Sequence, residues 1–276
     1  MVPKEYYGRL FTKEQLPVDY HSEAFTLESM IKVDKQLRCK RCYSQIEEDW
    51  QLPEGQYYCR ACIVFGRNQE GKELYYFPSK TSEIEFPVLK WLGELTPYQA
   101  EVSEKLLETY QKQKDSLVHA VTGAGKTEMI YKIVAYVLGN KGRVAIASPR
   151  VDVCRELFLR MQRDFTCSIS LLHAESEPYD GSPLVIATTH QLLKFYQNFD
   201  LVIVDEVDAF PFVGNVMLNH AVEQAKKETG RYIYLTATST ISLEEQVRLG
   251  TLEKHHLARR FHGNPLVLPK FCWQGR

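Results

Sequence analysis

The pattern of hydrophobic and polar positions divides the chain into two regions. Up to about residue 90, short apolar clusters are interrupted by proline and glycine, and no segment keeps a helical period. From about residue 95, short apolar runs alternate with stretches of helical length. This alternation predicts an α/β fold, in which helices cover both faces of a mostly parallel sheet. The predicted buried strands are residues 117–122, 144–149, 169–174, 184–189, 201–205 and 232–238.

Helix signals are clearest just before the first of these strands. In the segment LTPYQ, Thr96 is a good N-cap residue and Pro97 suits the first helical position. Gln99 stands at capping-box spacing from Thr96, which gives it a plain structural role. Two further stretches of helical length are residues 126–139 and 150–165.

Composition places the chain among ordinary globular proteins. Its 276 residues are 44% hydrophobic, which is enough for one large domain and one small domain. The net charge of -1 does not indicate a general nucleic-acid binder. Residues 248–276 differ, with six Lys or Arg against one acidic residue; this basic end either approaches phosphates or is a solvated terminus.

Targeting signals and cysteine usage favour the cytoplasm. We find no run of about 18 apolar residues and no apolar core of a secretion signal near the N-terminus, so no membrane span is expected. Four of the seven cysteines are clustered, and Cys154, Cys167 and Cys272 are scattered. This usage fits a reducing compartment better than a disulfide scaffold.

The clustered cysteines have the spacing of a metal site. Cys39 and Cys42 form one CxxC pair, and Cys59 and Cys62 form a second pair after a gap of 16 residues. Four thiolates fill a tetrahedral Zn²⁺ shell, which predicts a structural zinc module; free thiols or two disulfides are the alternatives.

Basic and aromatic residues surround these pairs. The segment KVDKQLRCKR (32–41) holds five Lys or Arg, with Tyr43, Tyr57 and Tyr58 nearby. Such residues hold single strands by charge and stacking. Alternatively the tyrosines pack a small core, or the module docks a protein partner.

The segment HAVTGAGKTEM (119–129) predicts a phosphate-binding loop between a strand and a helix. The usual pattern begins with a glycine, and Ala120 takes that place here. Backbone N–H groups of such a loop surround a phosphate, Lys126 reaches the β- and γ-phosphates of ATP, and the Thr127 hydroxyl binds Mg²⁺. The predicted nucleotide-binding residues are Thr122, Gly123, Ala124, Gly125, Lys126 and Thr127.

The second half of an ATPase site follows an apolar strand in LVIVDEVDAF. The strand delivers Asp205 at its C-terminal end, where open α/β sheets bind ligands. Asp205 is predicted to hold Mg²⁺, and Glu206 is predicted to orient the attacking water. Lys126, Asp205 and Glu206 are therefore the candidate catalytic residues; a simple acidic loop is the alternative.

The string AVTGAGKT, with DEVD and TAT downstream, resembles the first RecA-like lobe of superfamily 2 helicases. The resemblance implies that Gln99 contacts adenine. It implies that ASPRVDV (147–153) and ATTHQLL (187–193) contact the nucleic-acid backbone, with Ser148, Arg150 and Thr189 as the candidate residues. It also implies that Thr236 and Thr238 of the TAT segment couple the ATP state to strand movement.

An N-terminal four-cysteine module ahead of this lobe, together with LARRFHGNPLVLPKF (257–271), resembles the ComFA family of competence ATPases. The resemblance implies a cytoplasmic motor, peripheral to the inner face of the membrane, that draws single-stranded DNA into the cell with ATP, Mg²⁺ and Zn²⁺. It also implies the partners ComFC, the channel protein ComEC, and DprA.

These observations define an expected organisation. Residues 1–35 are an N-terminal extension, 36–90 the zinc module, 91–258 the first RecA-like lobe, and 259–276 the start of a linker to a second lobe. Because a second lobe supplies an arginine finger, we expect this chain to bind ATP and to hydrolyse it poorly. A PriA-like replication restart helicase and a zinc-dependent binding module with a nucleotide switch are the alternatives.

Overall fold

The computed structural model describes residues 1–121, 124–209, 212 and 214–257. The predictions for Thr122, Gly123, Cys272 and the linker at 259–276 therefore lie outside the described residues. The strands are β1 (Leu10–Thr12), β2 (Phe25–Glu28), β3 (Met30–Val33), β4 (Gln36–Cys39), β5 (Glu73–Tyr76), β6 (Asp115–Ala120), β7 (Val144–Ser148), β8 (Ile169–Leu172), β9 (Leu184–Thr188), β10 (Phe199–Asp205), β11 (Lys226–Thr236) and β12 (Leu252–Leu257). The α-helices are α1 (Pro97–Gln111), α2 (Lys126–Met129), α3 (Tyr131–Gly139), α4 (Val151–Asp164), α5 (Val216–Ala225) and α6 (Ile241–Arg248).

A seven-stranded parallel sheet forms the centre of the molecule, with the order β12-β6-β11-β10-β7-β9-β8. The fold class is confirmed: a RecA-like α/β lobe that is preceded by a four-cysteine segment. All six predicted strands are present, and α1 begins after Thr96 with the predicted capping box. Strand β12 was not predicted, and it extends the sheet beyond β6.

Alternate residues of the central strands face two separate apolar cores, as the side-chain alternation of a strand requires. Val144 and Ile146 of β7 pack in the core that α1, α3 and α4 cover. Ala145 and Ala147 pack in the opposite core, which α5 covers. The four clustered cysteines belong to this second core, so their segment covers part of one face of the sheet.

The first 90 residues form two small antiparallel sheets. Strand β5 pairs with both β1 and β2, and β3 pairs with β4 in a hairpin. Asp34 and Lys35, both with positive φ, make the turn of this hairpin. Main-chain hydrogen bonds between β3 and β4 therefore join residues on either side of position 35.

Within the described residues, no helix has the length and apolar content that crossing a membrane requires.

Candidate nucleotide site and four-cysteine cluster

The backbone at Gly125 sets the shape of the phosphate-binding loop. Gly125 is left-handed, with φ 71° and ψ 47°, and it caps the N-terminus of α2. A Cβ at this position would stand 2.4 Å from Nε2 of Gln99. Glycine is therefore required here both for its backbone angles and for the close approach of Gln99.

Gln99 joins the start of α1 to this loop. Its Oε1 accepts hydrogen bonds from the Thr96 backbone N–H (2.9 Å) and the Thr96 hydroxyl (3.0 Å). Its Nε2 donates to the Ala124 carbonyl at 2.8 Å. The capping role is observed, and the same side chain contacts the predicted nucleotide loop.

Lys126 and Asp205 meet at the C-terminal edge of the sheet. Lys126 begins α2, Asp205 ends β10, and Nζ lies 3.8 Å from Oδ1. Burial raises the pKa of Asp205, and the Lys126 charge opposes that rise. A bound Mg²⁺ would relieve the cost of this buried carboxylate. Asp205 and Thr127, which line the same cavity, would offer the kind of oxygen ligand that Mg²⁺ prefers.

Glu206 has a strained backbone and an unsatisfied carboxylate. Its φ is 57°, a left-handed value that is uncommon for a residue with a side chain. Its N–H donates to Asp205 Oδ1 at 2.9 Å. Its Oε2 is buried without a hydrogen-bond partner among the described residues. Burial, followed by the Asp205 charge, raises the pKa of Glu206. Strain and an unpaired acceptor at one residue are typical of a functional position.

A single cavity of about 940 Å³ contains all of these groups, which is large enough for a nucleotide. Residues 124–127 of the phosphate-binding loop, the acidic residues after β10 and several residues of α4 line it. The residues that line it include Trp91, Leu95, Gln99, Ala124, Gly125, Lys126, Thr127, Glu128, Arg150, Leu157, Arg160, Asp205, Glu206 and Ala237.

The TAT segment ends β11 beside this cavity. The Thr236 hydroxyl donates to the Thr238 carbonyl (2.6 Å) and accepts from the Thr238 N–H (3.0 Å). His119 Nε2 donates to the Ala237 carbonyl at 2.9 Å. Since Ala237 lines the cavity, the TAT segment borders the candidate nucleotide site, and its coupling role stays a prediction.

The three candidate nucleic-acid contacts fall in different surroundings. Ser148 and Thr189 are buried at the ends of β7 and β9, and Thr189 Oγ1 has no partner among the described residues. Arg150 is exposed, lines the nucleotide cavity and pairs with Asp152 at 2.6 Å. The structure therefore does not gather these side chains on one surface, and their role stays a prediction.

The four cysteines form one compact cluster. Their sulfur atoms lie within 4.8 Å of one another, and neighbouring pairs are 3.5 to 3.7 Å apart. Four sulfurs at about 2.3 Å from a tetrahedral zinc ion would be about 3.8 Å apart, so the cluster fits that metal. Asn68 Nδ2 donates to Cys39 Sγ at 3.1 Å, which is a suitable contact to a thiolate ligand.

The turn between Cys39 and Cys42 docks on α5. The Tyr43 and His220 rings stack with centroids 5.1 Å apart, and His220 Nε2 donates to the Lys40 carbonyl at 3.1 Å. The Tyr43 ring therefore contacts α5 of the lobe.

Several residues that line the cavity were not predicted as site residues, and Trp91, Glu128 and Arg160 are three of them. Trp91 and Arg160 belong to no motif, and Glu128 directly follows the phosphate-binding loop. Arg160 donates to Glu128 at 3.1 Å and to Glu156 at 2.6 Å. Arg150, Leu157 and Arg160 are seven and three positions apart, a spacing that places them on one face of a helix. This spacing was the sequence signal that could have predicted which face of α4 lines the cavity.

The model of the DEAD/DEAH box helicase family matches residues 96–246, more than half of the chain. The chain therefore belongs to the DEAD/DEAH box helicase family. Among curated proteins it is 57% identical to competence protein ComFA of Streptococcus pneumoniae, over 98% of this chain and 62% of that protein. It is 34% identical to competence protein ComFA of Bacillus subtilis, over 96% of this chain and 59% of that protein. The resemblance to ComFA is thus confirmed.

The chain spans about three fifths of the length of these ComFA relatives. The replication restart protein PriA of Bacillus subtilis is a weaker match, with 23% identity over 64% of this chain and 24% of that protein.

Proposed function

We propose that this chain is the ATP- and zinc-binding part of a single-stranded-DNA-dependent ATPase that drives the uptake of transforming DNA. The observation that carries the ATPase role is that Gly125, Lys126 and Thr127 share one cavity with Asp205 and Glu206. The similarity to two ComFA proteins supports the role in competence.

In this proposal the charged residues divide the work on ATP. Lys126 binds the β- and γ-phosphates, and Asp205 with Thr127 holds Mg²⁺, which neutralises charge on the phosphates. The buried Oε2 of Glu206 accepts a hydrogen bond from the attacking water, because that oxygen lacks a partner among the described residues. Its pKa, raised by burial, suits a group that accepts a proton.

We also propose that the single-stranded DNA crosses the C-terminal ends of β7 and β9, near Ser148, Arg150 and Thr189. Zinc in the four-cysteine cluster stabilises the segment that covers one face of the sheet. ComFC, ComEC and DprA are the proposed partners, on the similarity to ComFA alone. We also propose the four parts of the chain that the sequence suggests: an N-terminal extension (1–35), a zinc module (36–90), the RecA-like lobe (91–258) and the start of a linker (259–276).

ATP turnover with and without single-stranded DNA tests this function. The measurement uses this chain and a longer chain extended to the length of the ComFA relatives. The longer chain should show DNA-stimulated turnover, and Glu206→Gln should abolish it while ATP binding persists. This chain should bind ATP. If the longer chain binds ATP without any turnover, the site is a nucleotide switch. If Glu206→Gln keeps full turnover, another residue positions the water.

A further inference from the structure

The nucleotide cavity contains, close to Gln99, a charged pair that no motif assigns. Glu128 lies in the first turn of α2, directly after the phosphate-binding loop, and Arg160 reaches it from α4. Arg160 Nη1 donates to Glu128 Oε1 at 3.1 Å, and Arg160 Nη2 donates to Glu156 at 2.6 Å. Both Glu128 and Arg160 line the cavity.

The other carboxylate oxygen of Glu128 lies over the loop beside Gln99. A Cβ on Gly125 would stand 3.4 Å from Glu128 Oε2 and 2.4 Å from Gln99 Nε2. These two polar atoms therefore flank the same glycine. The Glu128 side chain is 22% exposed, so its carboxylate is held in place and still accessible from the cavity.

The hydrogen bonds of Gln99 limit what its amide can offer to a base. A side-chain carbonyl oxygen has two lone pairs, and Thr96 already donates to Gln99 Oε1 twice. The amide group has two N–H donors, and one of them is bound to the Ala124 carbonyl. Gln99 is therefore left with one donor and no acceptor. The neighbouring groups fix this orientation, since a flipped amide would place N–H groups against the Thr96 donors.

Adenine needs both a donor and an acceptor on one edge, because its N7 accepts and its 6-amino group donates. Gln99 can serve N7 only, so a second residue must accept from the 6-amino group. We propose that Glu128 is this residue: its Oε2 accepts the 6-amino hydrogen bond and makes the site specific for adenine nucleotides. Arg160 is a positioning residue, which holds Oε1 and leaves Oε2 directed at the base.

The same arrangement discriminates against guanine nucleotides. Guanine presents acceptors at both N7 and O6, so its O6 would face the Glu128 carboxylate without a proton between them. An unpaired acceptor next to a partly buried carboxylate lowers affinity more strongly than a missing contact does. This inference rests on the proposed function, since it assumes that the cavity binds a nucleoside triphosphate.

Competition binding with nucleotide analogues tests the proposal. The probes are ATP, purine riboside triphosphate, which lacks the 6-amino group, GTP, 7-deaza-ATP and 2′-deoxy-ATP, each with Mg²⁺ and a fluorescent ATP analogue as tracer. Wild type should bind ATP roughly ten- to a hundred-fold more tightly than purine riboside triphosphate, the range for one hydrogen bond to a charged group. Glu128→Ala should bind ATP and purine riboside triphosphate with nearly equal affinity.

Three further variants complete the test. Glu128→Gln should narrow the preference for ATP over GTP, since an amide can present either a donor or an acceptor. Glu101→Ala removes a carboxylate that pairs with Lys105 on the surface of α1 and is not among the described residues that line the cavity, so it is the control and should leave the ratios as in wild type. Gln99→Ala should reduce the preference for ATP over 7-deaza-ATP and keep the preference over purine riboside triphosphate.

The outcomes separate this inference from the proposed function. If wild type binds no nucleoside triphosphate, the proposed function fails. If wild type binds ATP and purine riboside triphosphate equally, or if Glu128→Ala weakens both by the same factor, the role of Glu128 is wrong. If Glu128→Ala changes only the ratio of the affinities for ATP and 2′-deoxy-ATP, Glu128 contacts the ribose and not the base. Thermal unfolding of each variant shows whether a loss of binding reflects a loss of folding.

Discussion

At the scale of single residues, two constraints meet at Gly125. Its φ of 71° disfavours any side chain, and Gln99 occupies the space of a Cβ. We expect Gly125→Ala to lower the free energy of unfolding by more than the roughly 1–2 kcal/mol of a left-handed backbone alone. Thermal and urea unfolding measure the change.

A matched control separates the two constraints. Gly250 has a φ of 76° and nothing within 4 Å of its Cβ position, so Gly250→Ala should report the backbone cost by itself. In a Gln99→Ala background, Gly125→Ala should cost about as much as Gly250→Ala. An equal cost for the two glycines in the wild-type background would contradict the contact with Gln99.

The Asp205 carboxylate makes the nucleotide-free chain sensitive to pH. Burial raises its pKa, so the folded state favours the protonated form. Its contribution to stability is therefore complete below the ordinary carboxyl pKa of about 3.9, and it is lost as the pH rises through the raised value. Asp205→Asn cannot ionise, so we expect it to raise Tm at pH 7, by an amount that shrinks towards pH 4.

An exposed carboxylate provides the comparison. Glu101 pairs with Lys105 on the surface of α1, so Glu101→Gln makes the same charge change without burial and should not raise Tm at pH 7. Mg²⁺ and ATP should then reverse the order of wild type and Asp205→Asn, because only wild type retains the full Mg²⁺ site. A lower Tm for Asp205→Asn at pH 7 without ligand would show that its pairing with Lys126 outweighs its burial.

Sequence patterns located some cavity residues and missed others, for physical reasons. The shared position of Lys126 and Asp205 in the cavity could be predicted, because phosphate and Mg²⁺ chemistry restricts both the residue type and its place after a strand. The pairing of Glu128 with Arg160 could not, because it joins α2 to α4 across 32 positions of sequence. Gln99 could be predicted as a cap, and its contact with Ala124 depends on the folded loop.

At the scale of elements, some strands could be predicted from local sequence and one could not. Strand β7 is buried at every position, so its apolar run was enough to predict it. Strand β12 reads LEKHHL and lies at the edge of the sheet, where only Leu252, His255 and Leu257 are buried. A buried histidine that bonds to Thr109 of α1 carries no hydrophobic signal, and the strand was overlooked.

The four-cysteine cluster acts as a structural element of the lobe. Because the cysteines share an apolar core with α5, loss of zinc should destabilise the lobe as well as the small sheets. We expect Cys39→Ser to remove one equivalent of zinc and to lower Tm in a single cooperative transition. Metal analysis and calorimetry measure both effects.

The scattered cysteines provide the control for this prediction. Cys167 is a free, partly buried cysteine away from the cluster, so Cys167→Ser should leave the zinc content unchanged. Two separate unfolding transitions in Cys39→Ser, with the upper one at the wild-type temperature, would contradict a shared core.

At the scale of the whole molecule, the N-terminal region packs directly against the lobe. The two are linked in sequence by residues 78–95, which contain no helix or strand. The Tyr196 N–H donates to the Gly8 carbonyl at 2.9 Å, and the Ser79 hydroxyl donates to the Asn198 carbonyl at 3.1 Å. Asn198 also fills the space beside Gly8, where a Cβ would stand 2.0 Å from its side-chain oxygen. These contacts join residues more than a hundred positions apart, which is why sequence patterns did not reveal them.

The contacts between the N-terminal region and the lobe predict the result of limited proteolysis. Lys80 is exposed in the irregular segment, so trypsin should cut there before it cuts the sheet. We expect the two fragments to elute together in size-exclusion chromatography with zinc retained, because the cysteine segment still covers the core that it shares with α5. A zinc chelator should then release the N-terminal fragment, while uncut chain with chelator shows the effect of metal loss alone. Separate elution of the fragments without chelator would mean that the covalent link, and not the shared core, holds the two regions together.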